Sequence, residues 1–364
     1  MAQAKILVTG ATGKTGGALV AQLRARDVPV RALVRRRDAR TAVLERRGVE
    51  IVVGDLFDAE SLIGAMQGVQ RAYYCPPWHG HMIQSATAFA VAAREARLEH
   101  VVGLSQWLAG PSHPSLESRQ HWLADAVFEM MPGVGYTRLN PGFFADSYLL
   151  LMPYATLLGV FPMPVDPDSR NAPPSNEDIA RVAAHALLDP DRHAGRSYRP
   201  TGPRVLSVRE MIAIMSRVAG RTVMHVRMPI GLFYKAARKD GFDEGLLSGF
   251  GSYLVDHAQD AFAFGGATDD VLNVTGQAPE DFETIARRYA QAPHARRTLA
   301  NTLRAFAGFM ATPFYPGFDP AAFARAQNHP VPLAPTSAMQ SPRWRAEHAR
   351  ELAPMRAPHL AVAE

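Results

Sequence analysis

The stretch Val8-Thr9-Gly10-Ala11-Thr12-Gly13-Lys14-Thr15-Gly16 decides the fold of this chain. It follows an apolar run and opens a helical pattern, which is the context that a dinucleotide-binding loop needs. Gly10 permits a tight turn, Gly13 lets the backbone approach a pyrophosphate, and Gly16 lets the helix pack close to the strand. Free amides at the start of the helix would bind the phosphates. The motif therefore predicts a dinucleotide site made by Gly10, Thr12, Gly13, Lys14, Thr15 and Gly16.

Short β-branched runs alternate with helix-patterned stretches over residues 1–150. The predicted strands are Ile6–Thr9, Val28–Val34, Ile51–Val53, Arg71–Cys75, Val101–Leu104 and Tyr136–Leu139. The predicted helices are Lys14–Arg26, Ala59–Met66, Met82–Arg97 and Ser118–Glu129. Alternation at this spacing is typical of βαβ units with right-handed crossovers. We therefore predict an α/β fold with a doubly wound parallel sheet of the Rossmann-like type.

The pattern changes after Leu150. Six prolines in Met152–Pro174 predict a segment that is mostly extended or turning. Helical patterns then predominate, and we expect a smaller, mostly helical C-terminal domain over residues 151–315. Residues 1–150 form the dinucleotide-binding domain, to which residues 175–205 are expected to return. The order of the tail, residues 316–364, is left open: its amphipathic stretch Arg343–Leu352 could dock on a partner subunit or be mobile.

Composition and charge exclude several classes of protein. Hydrophobic residues make up 47% and charged residues 20%, which excludes a disordered, collagenous or coiled-coil chain. With 39 basic and 34 acidic residues, the excess of positive charge is small, and we predict no direct nucleic-acid binding. The single cysteine, Cys75, excludes an intramolecular disulfide. With no targeting segment visible, we expect a cytoplasmic protein.

One uncharged span resembles a membrane helix in composition. Ser147–Val165 has 19 residues without a charge, but Pro153, Pro162 and Pro164 break helical hydrogen bonding. We predict that the span forms an apolar wall of a substrate pocket, and we expect no membrane partner. The sequence leaves open whether the chain forms a homodimer or binds a protein partner.

The end of the second strand indicates which dinucleotide is bound. Enzymes that bind NAD place an acid there for the ribose 2′-hydroxyl. Here the strand ends in Arg35 and Arg36, whose charge suits the 2′-phosphate of NADP. A solvated basic surface is the alternative explanation for these arginines. We therefore predict NADP(H) as the cofactor.

The next two strand ends complete the predicted cofactor site. Asp55 and Leu56 follow the third strand, where the carboxylate can accept from the adenine amino group and the leucine can contact the ring. Cys75, Pro76 and Pro77 follow the fourth strand and should pass near the riboses, because carboxyl ends of parallel strands line the cofactor crevice. Nothing in the sequence argues for a reactive thiol, so Cys75 is expected to pack.

The ordered series of motifs resembles the NmrA-like branch of the atypical short-chain dehydrogenase/reductases over about residues 1–290. The resemblance rests on Thr9–Gly16, Arg35, Gly54-Asp55-Leu56, Tyr136–Phe144, Asp178-Ile179-Ala180, Leu187–Pro190, Thr201-Gly202-Pro203 and Val274–Pro279. It implies NADP(H) binding in the N-terminal domain and a small C-terminal substrate domain. Relatives in this branch include quinone and dye reductases, and also redox-sensing regulators without catalysis.

The chain departs from the wider superfamily in its catalytic residues. Typical members use Tyr-x-x-x-Lys, but no lysine lies between Lys14 and Lys235. Ser105 and His121 are the remaining candidates for binding or protonating a substrate, with His113 as an alternative to His121. A metal site is not expected.

Aromatic side chains near the strand ends are the candidates for an apolar substrate pocket. They are Trp78, Trp107, Phe143, Phe144 and Tyr148. Hydride transfer to a conjugated acceptor needs little beyond stacking on the nicotinamide. The sequence therefore favours an NADP(H)-dependent reductase of a small apolar acceptor such as a quinone, an enone or a dye. The alternative is a non-catalytic redox sensor that acts through a protein partner.

Overall fold

The computed structural model describes residues 3–352. The elements of the N-terminal part are β1 (Ile6–Val8), α1 (Lys14–Arg24), β2 (Val30–Val34), α2 (Ala39–Arg46), β3 (Glu50–Val53), α3 (Ala59–Met66), β4 (Arg71–Tyr74), α4 (Met82–Glu95), β5 (His100–Leu104), α5 (Leu116–Glu129) and β6 (Gly135–Leu139). The elements that follow are α6 (Ala145–Leu149), α7 (Met152–Leu158), β7 (Val160–Pro162), β8 (Arg170–Asn171), α8 (Asn176–Leu188), α9 (Pro190–His193), β9 (Ser197–Tyr198), β10 (Leu206–Ser207), α10 (Val208–Ala219), β11 (Met224–Val226), α11 (Ile230–Lys239), α12 (Glu244–Ala258), α13 (Asp270–Thr275), α14 (Phe282–Ala290), α15 (Leu299–Ala311), α16 (Pro320–Ala326) and α17 (Pro342–Leu352).

Seven strands form one parallel sheet in the order β3-β2-β1-β4-β5-β6-β9. Val8, at the end of β1, lies level with Ala32 of β2 and Tyr73 of β4. The strand order reverses between β1 and β4, and in such sheets the loops after the two central strands separate and leave a crevice. The predicted α/β fold with a doubly wound parallel sheet is confirmed.

Helices cover both faces of this sheet. On one face, α1 and α8 pack through Leu23 and Ile179, which are fully buried. On the other face, α3, α4 and α5 contribute Leu62, Phe89 and Phe128. Burying each such side chain stabilises the fold by about 1.5–3 kcal/mol. Because both faces are covered, the central strands are continuous apolar runs rather than alternating ones.

The chain returns to this sheet after an excursion. β9 extends the sheet beside β6, with Leu139 level with Tyr198. The side chain of Thr15, in the first turn of α1, hydrogen bonds to Asn176 at the start of α8 at 2.7 Å. The excursion and the chain after β9 build a second core, in which Phe161, Met211 and Ile285 are buried.

Two helices differ from the sequence-based expectations. α2 begins at a capping box between Asp38 and Thr41, but its surface is too polar for an apolar periodicity to predict it. α7 begins within the proline-rich segment and carries Pro153 in its first turn, where the missing N–H has no intrahelical acceptor to lose. The expectation that Met152–Pro174 is mostly extended is therefore wrong for its first seven residues.

The uncharged span Ser147–Val165 folds into parts of α6, α7 and β7. Within residues 3–352, no helix combines the length and the apolar character needed to cross a bilayer.

The tail docks on the chain's own N-terminal domain. Trp344 of α17 is buried, and its Nε1 donates to the carbonyl oxygen of Trp107 at 3.1 Å. Glu351 pairs with Arg138 and accepts a hydrogen bond from Asn140 Nδ2 at 2.9 Å. Residues 353–364 of the tail lie outside the described residues.

The buried contact of Trp344 predicts that the tail contributes to stability. Trp344→Ala should lower the free energy of unfolding by about 3–5 kcal/mol, because it removes a fully packed indole and leaves a cavity. Urea denaturation measures the change. Met130→Ala, at a side chain that is 72% exposed, is the control and should change stability little. Equal stability of the two variants would contradict the docked position of α17.

Candidate functional site

The loop after β1 is shaped by three glycines. Gly10 has φ of +64°, a conformation that favours glycine, and Gly13 N donates to Gly10 O at 2.9 Å. A Cβ on Gly16 would lie 2.3 Å from Gly10 O, so only glycine permits this approach of α1 to the loop. A Cβ on Gly10 would lie 3.0 Å from Cys75 Cβ. The loop therefore brings the start of α1 directly to the edge of the sheet.

The first turn of α1 can bind an anion. Gly13 caps the helix without a side-chain hydrogen bond, and the first turn contains no acid. The unpaired amides and the positive end of the helix dipole suit a phosphate group. Lys14 lies beside the turn, with its ammonium 2.6 Å from Asp146 Oδ2, and Thr15 is tied to Asn176. Thr12 is half-buried within the loop.

The arginines after β2 differ in their surroundings. Arg35 and Arg36 are exposed, and their side chains have no hydrogen-bond or ion-pair partner among residues 3–352. Arg37 instead pairs with Glu45 and donates to Ile51 O. Two guanidinium groups are thus free at the carboxyl edge of the sheet to bind a further anion.

The residues after β3 and β4 lie at the same edge. Asp55 is exposed, and its Oδ1 accepts from Phe57 N at 3.0 Å, while Leu56 is half-buried against the core. Burial raises the pKa of Cys75 to about 11, which keeps its thiol protonated. Cys75 thus has the properties of a packing residue rather than a nucleophile.

An apolar cavity of about 420 Å³ opens at this edge. Residues that follow three sheet strands form one side of it: Cys75, Pro76, Pro77 and Trp78 after β4; Ser105 and Trp107 after β5; Phe143 and Phe144 after β6. Side chains of the C-terminal half, among them Phe233, Phe250 and Phe309, form the other side. The span Ser147–Val165 contributes Leu150 and Tyr154, in keeping with the predicted pocket wall. We call this space the apolar cavity.

The aromatic side chains predicted to form the substrate pocket differ in how exposed they are and in whether they line the apolar cavity. Trp78 is 46% exposed, and Phe143 and Phe144 are half-buried in the cavity wall. Trp107 borders the cavity but is fully buried, with its Nε1 bound to Ala261 O. Tyr148 does not line the cavity, because α6 turns it inward and its hydroxyl lies 2.5 Å from His257 Nε2. The prediction that Tyr148 forms part of the substrate pocket is therefore wrong.

Neither of the two histidine candidates, His121 and His113, is placed to donate a proton to a substrate, and the reasons differ. His121 lines the apolar cavity, but burial lowers its pKa to about 4, so its ring is neutral at neutral pH. His113 lies away from the cavity lining, with Nε2 2.8 Å from Asp256 Oδ2. Among residues 3–352, no group of three or more metal-ligating side chains is close enough to hold a metal ion.

Ser105 is paired with a carboxylate that the sequence analysis missed. Its Oγ donates to Asp125 Oδ2 at 2.6 Å, and Tyr136 donates to the other carboxylate oxygen at 2.8 Å. Burial raises the pKa of Asp125 to about 6, although nearby Arg138, Ser105 and Tyr136 act in the opposite direction. Asp125 also follows His121 by one helical turn of α5, so an acid on the buried face of a helix was the available signal.

Asp125 borders a second cavity, of about 480 Å³, which Ser105 does not line. This polar cavity is lined by Asp125, Glu129, Arg138, Asn140, Glu347 and Glu351 together with further residues of α17. The Ser105–Asp125 pair therefore connects the apolar cavity to a polar one. A connected serine and carboxyl group of this kind can pass a proton in the direction of the apolar cavity.

Comparison with known proteins identifies the family. The model of the NmrA-like family matches residues 2–248. An NAD(P)H azoreductase of Xenophilus azovorans is 31% identical over 288 residues, which cover 79% of this chain and 98% of that protein.

Solved structures share the fold. An NADPH-dependent quinone oxidoreductase of Escherichia coli complexed with NADPH has a TM-score of 0.66 at 22% identity, covering 78% of this chain and 99% of that one. NmrA, a negative transcriptional regulator in complex with NADP, has a TM-score of 0.62 at 20% identity, covering 79% of this chain and 95% of that one.

Burial of Asp125 makes the stability of the protein depend on pH. Its pKa rises from 3.8 to about 6, so the folded state binds this proton more tightly than the unfolded state. The stabilisation that this bound proton gives to the folded state is fully present below pH 3.8 and is lost as the pH rises through about 6. Between pH 4 and 7, the stability of Asp125→Asn should therefore increase by about 2 kcal/mol relative to that of wild type, on top of any constant difference.

Denaturant unfolding over this pH range measures the effect. Asp168→Asn is the control, since its side chain is 75% exposed and should give curves parallel to wild type. Parallel curves for Asp125→Asn would contradict the raised pKa.

Proposed function

The chain belongs to the NmrA-like family, and from that membership we propose that it is an NADP(H)-dependent reductase of an apolar, conjugated acceptor such as a quinone, an enone or a dye. The observation that carries the proposal is the apolar cavity of about 420 Å³. Its wall joins Thr15 and Cys75, beside the glycine loop, to aromatic side chains such as Phe250. The azoreductase and quinone oxidoreductase relatives support the same class of acceptor.

The site fits a phosphorylated dinucleotide. The space left at Gly10 and Gly16 and the uncapped start of α1 would hold the pyrophosphate. Arg35 and Arg36 would bind the 2′-phosphate, since their guanidinium groups are unpaired among the described residues. Asp55 and Leu56 would contact the adenine, and Cys75, Pro76 and Pro77 would lie along the riboses. When bound, NADPH supplies the hydride.

The acceptor would be held by shape and apolar contact rather than by charge. Asp146 and Asp240 are the charged residues of the cavity wall, and each is paired with a lysine, Lys14 and Lys239 respectively. Phe143 and Phe144 would contact a flat conjugated ring. Such a wall excludes water and positions the acceptor, which is most of what hydride transfer to a conjugated system requires.

The proton for a quinone would come through Ser105. A quinone takes up one hydride and one proton to become a hydroquinone. Asp125, when protonated, donates to Ser105 Oγ, and the Ser105 hydroxyl donates its proton to the acceptor oxygen. Asp125 then regains a proton from water in the polar cavity. This route replaces the absent lysine-assisted tyrosine.

A non-catalytic NADP(H) sensor that acts through a protein partner is the second candidate. The lack of any lysine between Lys14 and Lys235 favours it, and the NmrA regulator has the same fold. An open apolar cavity instead favours a reductase, because a sensor has no need of space for an acceptor. NADPH oxidation with a panel of quinones, enones and dyes separates the two: tight NADPH binding without consumption by any acceptor would favour the sensor.

Arg35 should determine the preference for NADPH. Arg35→Ala removes a charged contact to the 2′-phosphate and should weaken NADPH binding about ten- to a hundred-fold, with little change for NADH. Calorimetric titration with each dinucleotide measures both affinities. The matched control is Arg37→Ala, because Arg37 is occupied by Glu45 and should leave both affinities unchanged. Equal losses for NADPH and NADH in Arg35→Ala would contradict the assignment.

Proton delivery should depend on the acceptor. Asp125→Asn and Ser105→Ala should each slow quinone reduction by at most about 10²-fold, and the double variant should be no slower than the worse single variant. The wild-type turnover number should fall as the pH rises past about 6, where Asp125 loses its proton, and Asp125→Asn should lack this step.

A cationic triarylmethane dye supplies the matched control. Its reduction adds a hydride to a carbocation and takes up no proton, so the same two variants should retain dye reduction. Tyr136→Phe should also retain turnover, because burial and the adjacent Asp125 raise the pKa of this tyrosine. Equal loss with quinone and dye would assign Ser105 and Asp125 a structural role instead.

A further inference from the structure

Helix α15 carries an apolar stripe that nothing in the described chain covers. Leu299, Leu303, Phe306 and Met310 are 76%, 58%, 55% and 54% exposed. With 3.6 residues per turn, all four lie within about 60° of one another around the helix. Phe314, just beyond the helix, is 88% exposed. We call the four helical residues the α15 stripe.

The opposite side of α15 holds the helix on the protein. Ala305, Gly308 and Phe309 are partly buried there, and the ring of Phe309 contacts that of Tyr154. Phe309 and Thr312 also line the apolar cavity. The stripe therefore points away from the body of the chain on a helix whose inner side is already packed.

We propose that the α15 stripe is the contact surface of a homodimer in which two copies of α15 pair antiparallel across a two-fold axis. Its residues are spaced by four, three and four, a coiled-coil pattern that reads the same in both directions. A two-fold axis at its centre brings Leu303 against Phe306 of the second copy and Leu299 against Met310. Self-complementarity of this kind favours a second copy over an unrelated protein.

The positions beside the stripe suit close helix pairing. Ala300 and Ala307 flank it on one side, and Thr302 and Phe309 on the other, so no charge stands at the edge of the contact. Arg304, the one charged residue of α15, lies at an outer position. Helices that lie on lipid surfaces instead carry many lysines or arginines on the polar face. The charge pattern therefore favours a second copy over a membrane.

The exposed area is of the size that a dimer needs. The stripe and Phe314 leave on the order of 600 Å² of apolar surface in water, given the side-chain areas involved. A standard interface takes roughly 800 Å² from each partner. A single apolar patch of this size is at the upper limit for a monomeric protein.

Light scattering on the full chain tests the proposal. Wild type should have twice the monomer mass of 39.7 kDa, and Leu303→Asp should be monomeric with an unchanged circular dichroism spectrum. Arg304→Asp is the matched control, since it adds the same acid at the next residue, on the outer side, and should remain dimeric. A monomeric wild type, or a dimeric Leu303→Asp, would overturn the proposal.

Disulfide cross-linking tests the antiparallel register. In a Cys75→Ser background, Leu303→Cys mixed with Phe306→Cys should give cross-linked dimers, and each variant alone should give far fewer. Cross-linking of Leu303→Cys alone to the same extent would indicate another arrangement and overturn the register. A wild type that is monomeric and sediments with phosphatidylglycerol vesicles would show a lipid-binding face and contradict the dimer.

Discussion

The close approach of α1 to the loop after β1 is the constraint on which the rest of the site depends. A Cβ at position 16 would stand 2.3 Å from Gly10 O, so the helix can begin at the sheet edge only with glycine there. That position directs the first-turn amides of α1 into the crevice between β1 and β4. Because the sheet is parallel, the loops after β2, β3, β4 and β5 all leave it at this same carboxyl edge. The steric requirement at position 16 thus places the anion-binding turn at the edge of the sheet where the free arginines and the apolar cavity also lie.

In the proposed reductase, burial of Asp125 would replace the lysine that typical members of the wider superfamily use. A lysine lowers the pKa of a neighbouring tyrosine so that it can give up a proton, whereas a carboxyl group must have its pKa raised. Removal from water raises the pKa of Asp125 to about 6, and the Arg138 charge only partly reverses this. Ser105, which hydrogen bonds to Asp125 and lines the apolar cavity, would pass the proton to the acceptor in the proposed reaction.

The C-terminal helices α15 and α17 each contribute a wall to one of the two cavities. Phe309 of α15 lines the apolar cavity. In α17, the indole of Trp344 packs against that of Trp107, and Glu351 lines the polar cavity. Both cavities that flank the Ser105–Asp125 pair therefore have walls supplied from residues past 298. The family model ends at residue 248, so these walls belong to a part of the chain beyond the matched region.

The sequence by itself determined the sheet, the glycine loop, the placing of Arg35 and Arg36 after β2 and the absence of a lysine dyad. Each of these is a local spacing or a plain count of residues, and local spacing sets which face of an element is buried. Only the tertiary structure decided that Asp125 stands behind Ser105, that Tyr148 faces the core and that Trp344 packs on Trp107. These partners are 20, 109 and 237 residues apart for Ser105–Asp125, Tyr148–His257 and Trp107–Trp344. Periodicity identifies the buried face of a helix but not the distant side chain that meets it, because that choice depends on how whole elements pack.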